Sequence, residues 1–297
     1  CGAKVDFVDI DNRTYNISVD ALKAKLEKAE KDGTLPKIVI PVHFAGQPCD
    51  MPAIYELSQR YGFSIIEDAS HAIGAMYNKV KVGACLYSDI TVFSFHPVKI
   101  ITTGEGGMAL TNKKELSNSM RLFSSHGITN NKSLMQSRPQ NEIWNYQQIE
   151  LGYNYRMTDI QAALGLSQIA RLDEFISQRH KIAKRYNTEL SGLPVIIPWQ
   201  DPRAYSSLHL YPILIDESKT EKTQQQLHDL LRQKGILVNL HYIPVYLQVY
   251  YESLGFKQGY CPNAENYFKH TVSIPMFPSM QPESQSKVIN IISQNLG

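Results

Sequence analysis

The chain has 297 residues, 43% of them hydrophobic, and its 30 lysines and arginines nearly balance 28 aspartates and glutamates, for a formal charge of +2. That composition excludes a disordered chain and supplies enough apolar residues for one large or two modest domains. It also argues against a surface that tracks nucleic acid, which shows as a basic excess; the longest uncharged stretch, Ile236 to Tyr251, is broken by Asn239, His241, Pro244 and Gln248 and is too short to span a bilayer.

The chain opens on Cys1-Gly2-Ala3 with no initiator Met and no signal-peptide pattern, and Lys4 to Ile10 alternates like a strand already under way. Ser18 caps a predicted helix reaching about Glu30, and Lys37 to Phe44 reads as a continuous buried strand. A helix is expected over Met51 to Tyr61, strands over Phe63 to Glu67, Ile90 to Phe95 and Gly107 to Thr111, and a helix over Lys113 to Phe123. Ser124 to Tyr153 is polar and reads as a long loop carrying Trp144 and Tyr146. A helical pattern runs from Thr158 to about Leu190, with a bend at Arg171-Leu172-Asp173. Beyond it come a strand at Leu208 to Ile215, a helix at Thr220 to Lys234, a strand at Ile236 to Leu240, and helices near Tyr246 to Leu254 and Pro282 to Leu296. Strands alternating with helices predict an α/β fold with a mainly parallel sheet, divided into a large domain over 1–171 and a smaller α/β domain over 172–297. The four cysteines, Cys1, Cys49, Cys85 and Cys261, lie far apart without a C-x-x-C pair, as expected of reduced thiols in a cytoplasmic enzyme.

Three strand ends carry complementary chemistry. Asp68 closes F-S-I-I-E-D, Ser94 closes I-T-V-F-S, and Lys99 follows in H-P-V-K. In a parallel sheet these ends face one crevice, so an acid, a hydroxyl and an amine can converge on one ligand. Pyridoxal phosphate needs that set: a lysine amine for its aldehyde, a carboxylate for its ring nitrogen, and hydroxyl and amide donors for its phosphate. Taken singly, a loop lysine is ordinarily a solvated charge and an aspartate after a strand a turn residue. His43, His71, His96, His126, His209 and His241 show no metal-ligand spacing and read as core or partly exposed histidines, so no metal is expected.

Taken together, E-D-A-S-H-A-I-G-A (67–75), S-F-H-P-V-K-I-I-T-T-G-E-G-G (94–107), R-L-F-S-S-H-G (121–127) and G-Y-N-Y-R-M-T-D-I-Q-A-A-L-G (152–165) resemble the DegT/DnrJ/EryC1/StrS sugar aminotransferases along essentially the whole chain. S-L-H-L-Y-P-I-L-I (207–215), G-I-L-V-N-L-H-Y-I-P-V-Y (235–246), C-P-N-A-E (261–265) and S-I-P-M-F-P (273–278) are similar to the branch that aminates UDP-linked 4-keto-6-deoxy sugars in pseudaminic acid synthesis. The resemblance implies a type I pyridoxal-phosphate-dependent aminotransferase fold, a homodimer with two shared active sites, L-glutamate as amino donor and a UDP-linked 4-keto sugar as acceptor. It implies Lys99 as the Schiff-base lysine, Asp68 as the partner of the pyridinium nitrogen, Ser94 as a phosphate ligand, and Asn154 as a phosphate ligand reaching across from the second subunit. His71 is placed near the cofactor's phenolic oxygen, and Arg156 and His241 near substrate. The family also carries an N-terminal arm, a phosphate-binding turn and a ring-stacking aromatic ahead of the point matching Cys1, so the sequence reads as N-terminally short. A dehydratase of the same family would have histidine in place of Lys99; another nucleotide-linked keto sugar as substrate, a non-catalytic cofactor-binding homologue and an unrelated α/β binding protein are the other readings.

Overall fold

Side-chain caps and strand alternation set the elements. The computed structural model describes residues 2–137, 142 and 144–296, so Cys1 lies outside the described residues. Ser18 accepts the Ala21 amide and starts α1 (Val19–Asp32), which buries Leu22 and Leu26. β1 (Ile38–Val39) leads through a 3₁₀ turn (Phe44–Gly46) to α2 (Met51–Tyr61), capped by Asp50. Next come β2 (Ser64–Asp68), the short strands β3 (Met76–Tyr77) and β4 (Val80–Lys81), then β5 (Ile90–Ser94), β6 (Gly107–Leu110) and α3 (Lys114–Ser124).

The main sheet has the order β1-β2-β5-β6, with β1, β2 and β5 parallel and β6 antiparallel to β5. Glu67 pairs with Thr91 and Asp68 with Val92. Because side chains alternate along a strand, Glu67 and Thr91 share one face while Asp68, Val92 and Ser94 share the other. The first face is dry: Ile65 and Phe63 pack with Leu22, Leu26, Ile54 and Leu57. On the second, Ile38, Ile40 and Val42 stay 50%, 55% and 41% exposed. The buried strand expected over Lys37 to Phe44 is therefore a two-residue ladder with one open face, extended by a single bridge between Val42 and Asp68.

The expected loop from Ser124 to Tyr153 contains a small antiparallel pair, β7 (Ile128–Thr129) with β8 (Gln147–Gln148). Thr158 and Gln161 form a capping box at the start of α4 (Asp159–Ile169), and α5 (Leu172–Glu189) begins at the expected bend. Then follow β9 (Val195–Ile196), β10 (Ala204–Tyr205), β11 (Tyr211–Ile215), α6 (Gln224–Gln233), α7 (Val249–Glu252), α8 (Pro262–His270), β12 (Thr271–Ile274) and α9 (Pro282–Leu296). β12, β11 and β9 form a separate antiparallel sheet, over which Tyr186, Tyr211, Ile213, Leu227, Leu231 and Ile292 build the largest core. β10 instead crosses back to pair with β3. No described helix is long and apolar enough to cross a membrane.

Two expected strands are absent. Lys4 to Ile10 forms only a bridge from Ile10 to Ile17. Its alternation serves other contacts: Phe7 packs on Tyr246, Tyr251 and Phe256, and the Asp9 carboxylate accepts the Asn263 and Ala264 amides at the start of α8. Ile236 to Leu240 likewise reduces to a bridge between Asn239 and Ser273, although Ile236 and Val238 are buried in the core. The alternation there reports burial, not a ladder.

Ile213 is fully enclosed at the centre of β11. Ile213→Ala should lower unfolding stability by about 3 kcal/mol, read from the urea midpoint, with little change in slope; a loss below about 1 kcal/mol would mean that this core is loosely packed.

Candidate active site

The parallel register sets Asp68 and Ser94 on one face of the sheet, at the ends of neighbouring strands. The Asp68 amide donates to the Pro41 carbonyl (2.9 Å), its carbonyl accepts the His43 amide (3.0 Å), and its Oδ1 accepts the Ser70 amide (3.0 Å), so both the strand end and the carboxylate are held in place. Lys99 follows β5 in a tight turn closed by its own amide on the His96 carbonyl (2.9 Å). Ser94 Oγ accepts the His96 amide (3.4 Å) beside Gly107, its partner in register on β6.

Burial pushes the Lys99 amine below the ordinary lysine range, and Asp68 partly opposes the shift. The same cation reaches the histidines. His71 is pushed down to about 3 by burial and by Lys99, against the pull of Asp68. His241 is lowered by burial and Lys99, and His209 by burial and then by His71, Arg179 and Lys99. The Tyr242 hydroxyl is raised by burial and by Asp68. Asp68, His71, Lys99 and His241 thus gather at one strand-end site, close enough to feel one another's charge, with burial drawing the lysine amine and both imidazoles toward their neutral forms.

His209, which the sequence reads as a core or partly exposed histidine, and Tyr242 and Phe44, which it does not single out, surround His71. The His209 ring lies 4.4 Å from His71, Tyr242 stacks at 6.2 Å, and Phe44 stands 6.1 Å away. Behind the cleft, His43 accepts the Cys49 amide on Nδ1 (3.1 Å), so its Nε2–H donates to Glu67 (2.7 Å). Ser88 and Thr91 also donate to Glu67. The signal was present in F-S-I-I-E-D: alternation turns Glu67 toward the core, where a carboxylate demands partners.

Asn154 and Arg156 form a separate exposed group. Arg156 Nε donates to Asn154 Oδ1 (3.1 Å), and its Nη2 lies 3.5 Å from His126 Nε2. Asn154 is bridged to Ser125. Gly127 makes this crossing possible, since a Cβ there would sit 1.9 Å from the Glu150 carbonyl oxygen. Among the described residues, no hydrogen bond joins Asn154 or Arg156 to Asp68, Ser94 or Lys99. No described group of histidine, cysteine, aspartate and glutamate could hold a metal ion.

A model of the DegT/DnrJ/EryC1/StrS aminotransferase family matches residues 1–293. The chain is 38% identical to the spore coat polysaccharide biosynthesis protein SpsC of Bacillus subtilis, over 98% of this chain and 73% of SpsC. It is also 38% identical to the UDP-4-amino-4,6-dideoxy-N-acetyl-beta-L-altrosamine transaminase of Campylobacter jejuni serotype O:2, over 94% of this chain and 70% of that protein. Among solved structures, Helicobacter pylori PseC, an aminotransferase involved in the biosynthesis of pseudoaminic acid, superposes with a TM-score of 0.86 at 29% identity, covering 99% of this chain and 74% of PseC. The family match and the fold together define a pyridoxal-phosphate-dependent transaminase with the α/β architecture of its class, and related chains have been solved in PLP and PMP forms. The chain belongs to the DegT/DnrJ/EryC1/StrS aminotransferase family. The donor set agrees with that cofactor: a carboxylate, an amine and a hydroxyl at adjacent strand ends, with the amine already drawn toward its neutral form.

Burial alone would raise the Glu67 carboxyl, but the hydrogen bonds from His43, Ser88 and Thr91 outweigh it and hold the group below its ordinary value. A depressed folded value contributes stability that is complete above the unfolded glutamate range, about 4.3, and is lost as pH falls through the folded value. The stability gap between wild type and Glu67→Gln in urea should therefore narrow as pH drops from about 5 to about 3. A gap that stays constant over that window would show that the folded Glu67 carboxyl titrates as it does in the unfolded chain, and a gap that widens would show that it is held protonated.

Proposed function

We propose that this transaminase moves the amino group of L-glutamate to C4 of a UDP-linked 4-keto-6-deoxy-N-acetylhexosamine, as in pseudaminic acid synthesis. The observation that carries the reading is a partly buried lysine amine, lowered by that burial, within charge range of the Asp68 carboxylate at the neighbouring strand end. The choice of sugar rests on the similarity to the Campylobacter transaminase and to PseC. The equal identity to SpsC supports a second reading, an aminotransferase for another nucleotide-linked keto sugar.

When bound, pyridoxal phosphate supplies a carbonyl that takes up the amino group and a ring that accepts electron density. Asp68 would keep the ring nitrogen protonated, since a neighbouring carboxylate favours the charged form. Lys99, its amine lowered by burial, would take the proton from Cα of glutamate and in the second half-reaction deliver one to C4 of the sugar. Ser94 would hold the phosphate with Asn154 from a second subunit, His71 would serve the phenolic oxygen, and Arg156 and His241 would orient substrate. Residues 1–171 act as the cofactor-binding part and 172–297 as the small C-terminal domain. The second subunit of the homodimer has a surface to meet: α4 leaves Ile160 85% and Leu166 71% exposed, and Leu151 nearby is 81% exposed.

Two assays test this reading. Glutamate should convert a UDP-linked 4-keto-6-deoxy-N-acetylhexosamine to the 4-amino sugar in preference to other nucleotide-linked keto sugars, and a reversed preference would select the second reading. Mixing inactive Lys99→Ala with inactive Asn154→Ala should restore about one quarter of wild-type activity, because half of randomly formed dimers would hold one intact site. No recovery despite demonstrated subunit exchange would place Asn154 within its own chain's site.

A further inference from the structure

The 44–47 turn meets the 206–209 segment backbone to backbone. The Ser207 amide donates to the Gly46 carbonyl (3.0 Å) and the His209 amide to the Ala45 carbonyl (2.8 Å). Gly46 has φ 96°, and a Cβ there would lie 2.5 Å from Ser207 Oγ and 2.8 Å from the Leu208 amide nitrogen. The contact admits no side chain. Ala45 and Leu208 flank it at φ 56° and 50°, in the left-handed region that favours glycine, and such conformations persist only where the surroundings over-determine them.

The contact ends on His71. With its carbonyl taken by the crossing segment, Ala45 turns its amide to His71 and donates to Nδ1 at 3.3 Å. The Ser207 hydroxyl donates to the His71 carbonyl at 2.8 Å. His71 is thus gripped at its ring through Ala45 and at its backbone by Ser207. A ring nitrogen that accepts an amide N–H carries no proton, so the proton of the neutral imidazole sits on Nε2. That nitrogen faces the cleft, 3.4 Å from the Tyr242 hydroxyl.

We propose that Gly46 and Ser207 are positioning residues that hold the Ala45 amide against His71, fixing it as a neutral Nε2–H donor toward the cofactor's phenolic oxygen. The proposal rests on the cofactor placement given above, and it adds how the donor state is enforced. The groups facing His71 support it. Lys99 and His241 disfavour a second ring proton, Asp68 alone favours one, and His209 and Tyr242 enclose the ring. A donor that neither charges nor switches to acceptor would stabilise an anionic oxygen across the whole working pH range. Residues 206–209 belong to the stretch that crosses back from the second half of the chain, so the state of a strand-end histidine depends on a distant segment.

The test uses the cofactor-free chain labelled with ¹⁵N-histidine, with His71 assigned by its loss in His71→Gln. In the wild type, Nε2 should be protonated and Nδ1 bare, with no titration across the range where an ordinary imidazole, with a pKa of about 6.5, would titrate. Ser207→Ala should bring exchange between the two tautomers and raise the titration midpoint by at least about one pH unit, and Gly46→Ala should do so more strongly. If Gly46→Ala does not fold, Ser207→Ala alone decides. A wild-type proton on Nδ1, titration near neutrality, or an unchanged tautomer in folded Ser207→Ala would overturn the proposal. Adding pyridoxal phosphate to the wild type should shift the His71 Nε2 resonance. No shift with the lock intact would overturn the cofactor-facing half, and because it is read without turnover it is distinct from a failure of the transamination reading.

Discussion

The in-register parallel pairing of β2 with β5 is the constraint on which the site depends. Asp68 opposite Val92 places Asp68 and Ser94 on one face, and Glu67 opposite Thr91 places that pair on the other. A slip of one residue would exchange the faces, burying Asp68 without partners and turning Glu67 into the cleft. The hydrogen bonds of Glu67 with His43, Ser88 and Thr91 act against such a slip, because each is satisfied only in the observed register. The polar network behind the sheet is thus part of how the acid in front of it is aimed.

The electrostatics of the cleft follow from the same placement. Partial burial lowers the Lys99 amine while Asp68 limits the fall, leaving a group that can both carry and release a proton. The surrounding imidazoles are driven to their neutral forms by burial and by that same cation, so they serve as hydrogen-bond partners and not as competing acids. Much of this environment comes from the second half of the chain. His209, His241 and Tyr242 approach the strand ends from elements packed around the β12-β11-β9 sheet, and at the Gly46 turn the two halves meet backbone to backbone.

Much of this was legible in the sequence, for local reasons. α2 and α9 begin and end where they were read, α2 because Asp50 caps it and both because proline stands in the first turn. The strand ends bearing Asp68 and Ser94 were placed to within a residue, since short β-branched runs bounded by polar residues leave little choice. The first strand and the one at Ile236 to Leu240 were misread because alternation marks a buried side and says nothing about whether a backbone partner lies alongside. Lys37 to Phe44 failed the other way: an unbroken apolar run suggested two buried faces, yet Ile38, Ile40 and Val42 face outward. Within the site, Lys99 and Asp68 were visible as strand-end chemistry. His209 and Tyr242 were not, because their approach to His71 is set by tertiary packing across well over a hundred residues of chain. Asn154 and Arg156 stand together as their motif suggests, but among the described residues no hydrogen bond links them to Asp68, Ser94 or Lys99.

The claim under all of this is that Lys99 is the amine which the register of β2 and β5 presents to the cofactor. Reduction of the pyridoxal-phosphate-loaded protein with borohydride, followed by peptide mapping, addresses it directly. The expected result is a single labelled peptide, modified at Lys99. A label on any other lysine, or an undiminished label in Lys99→Ala, would contradict it.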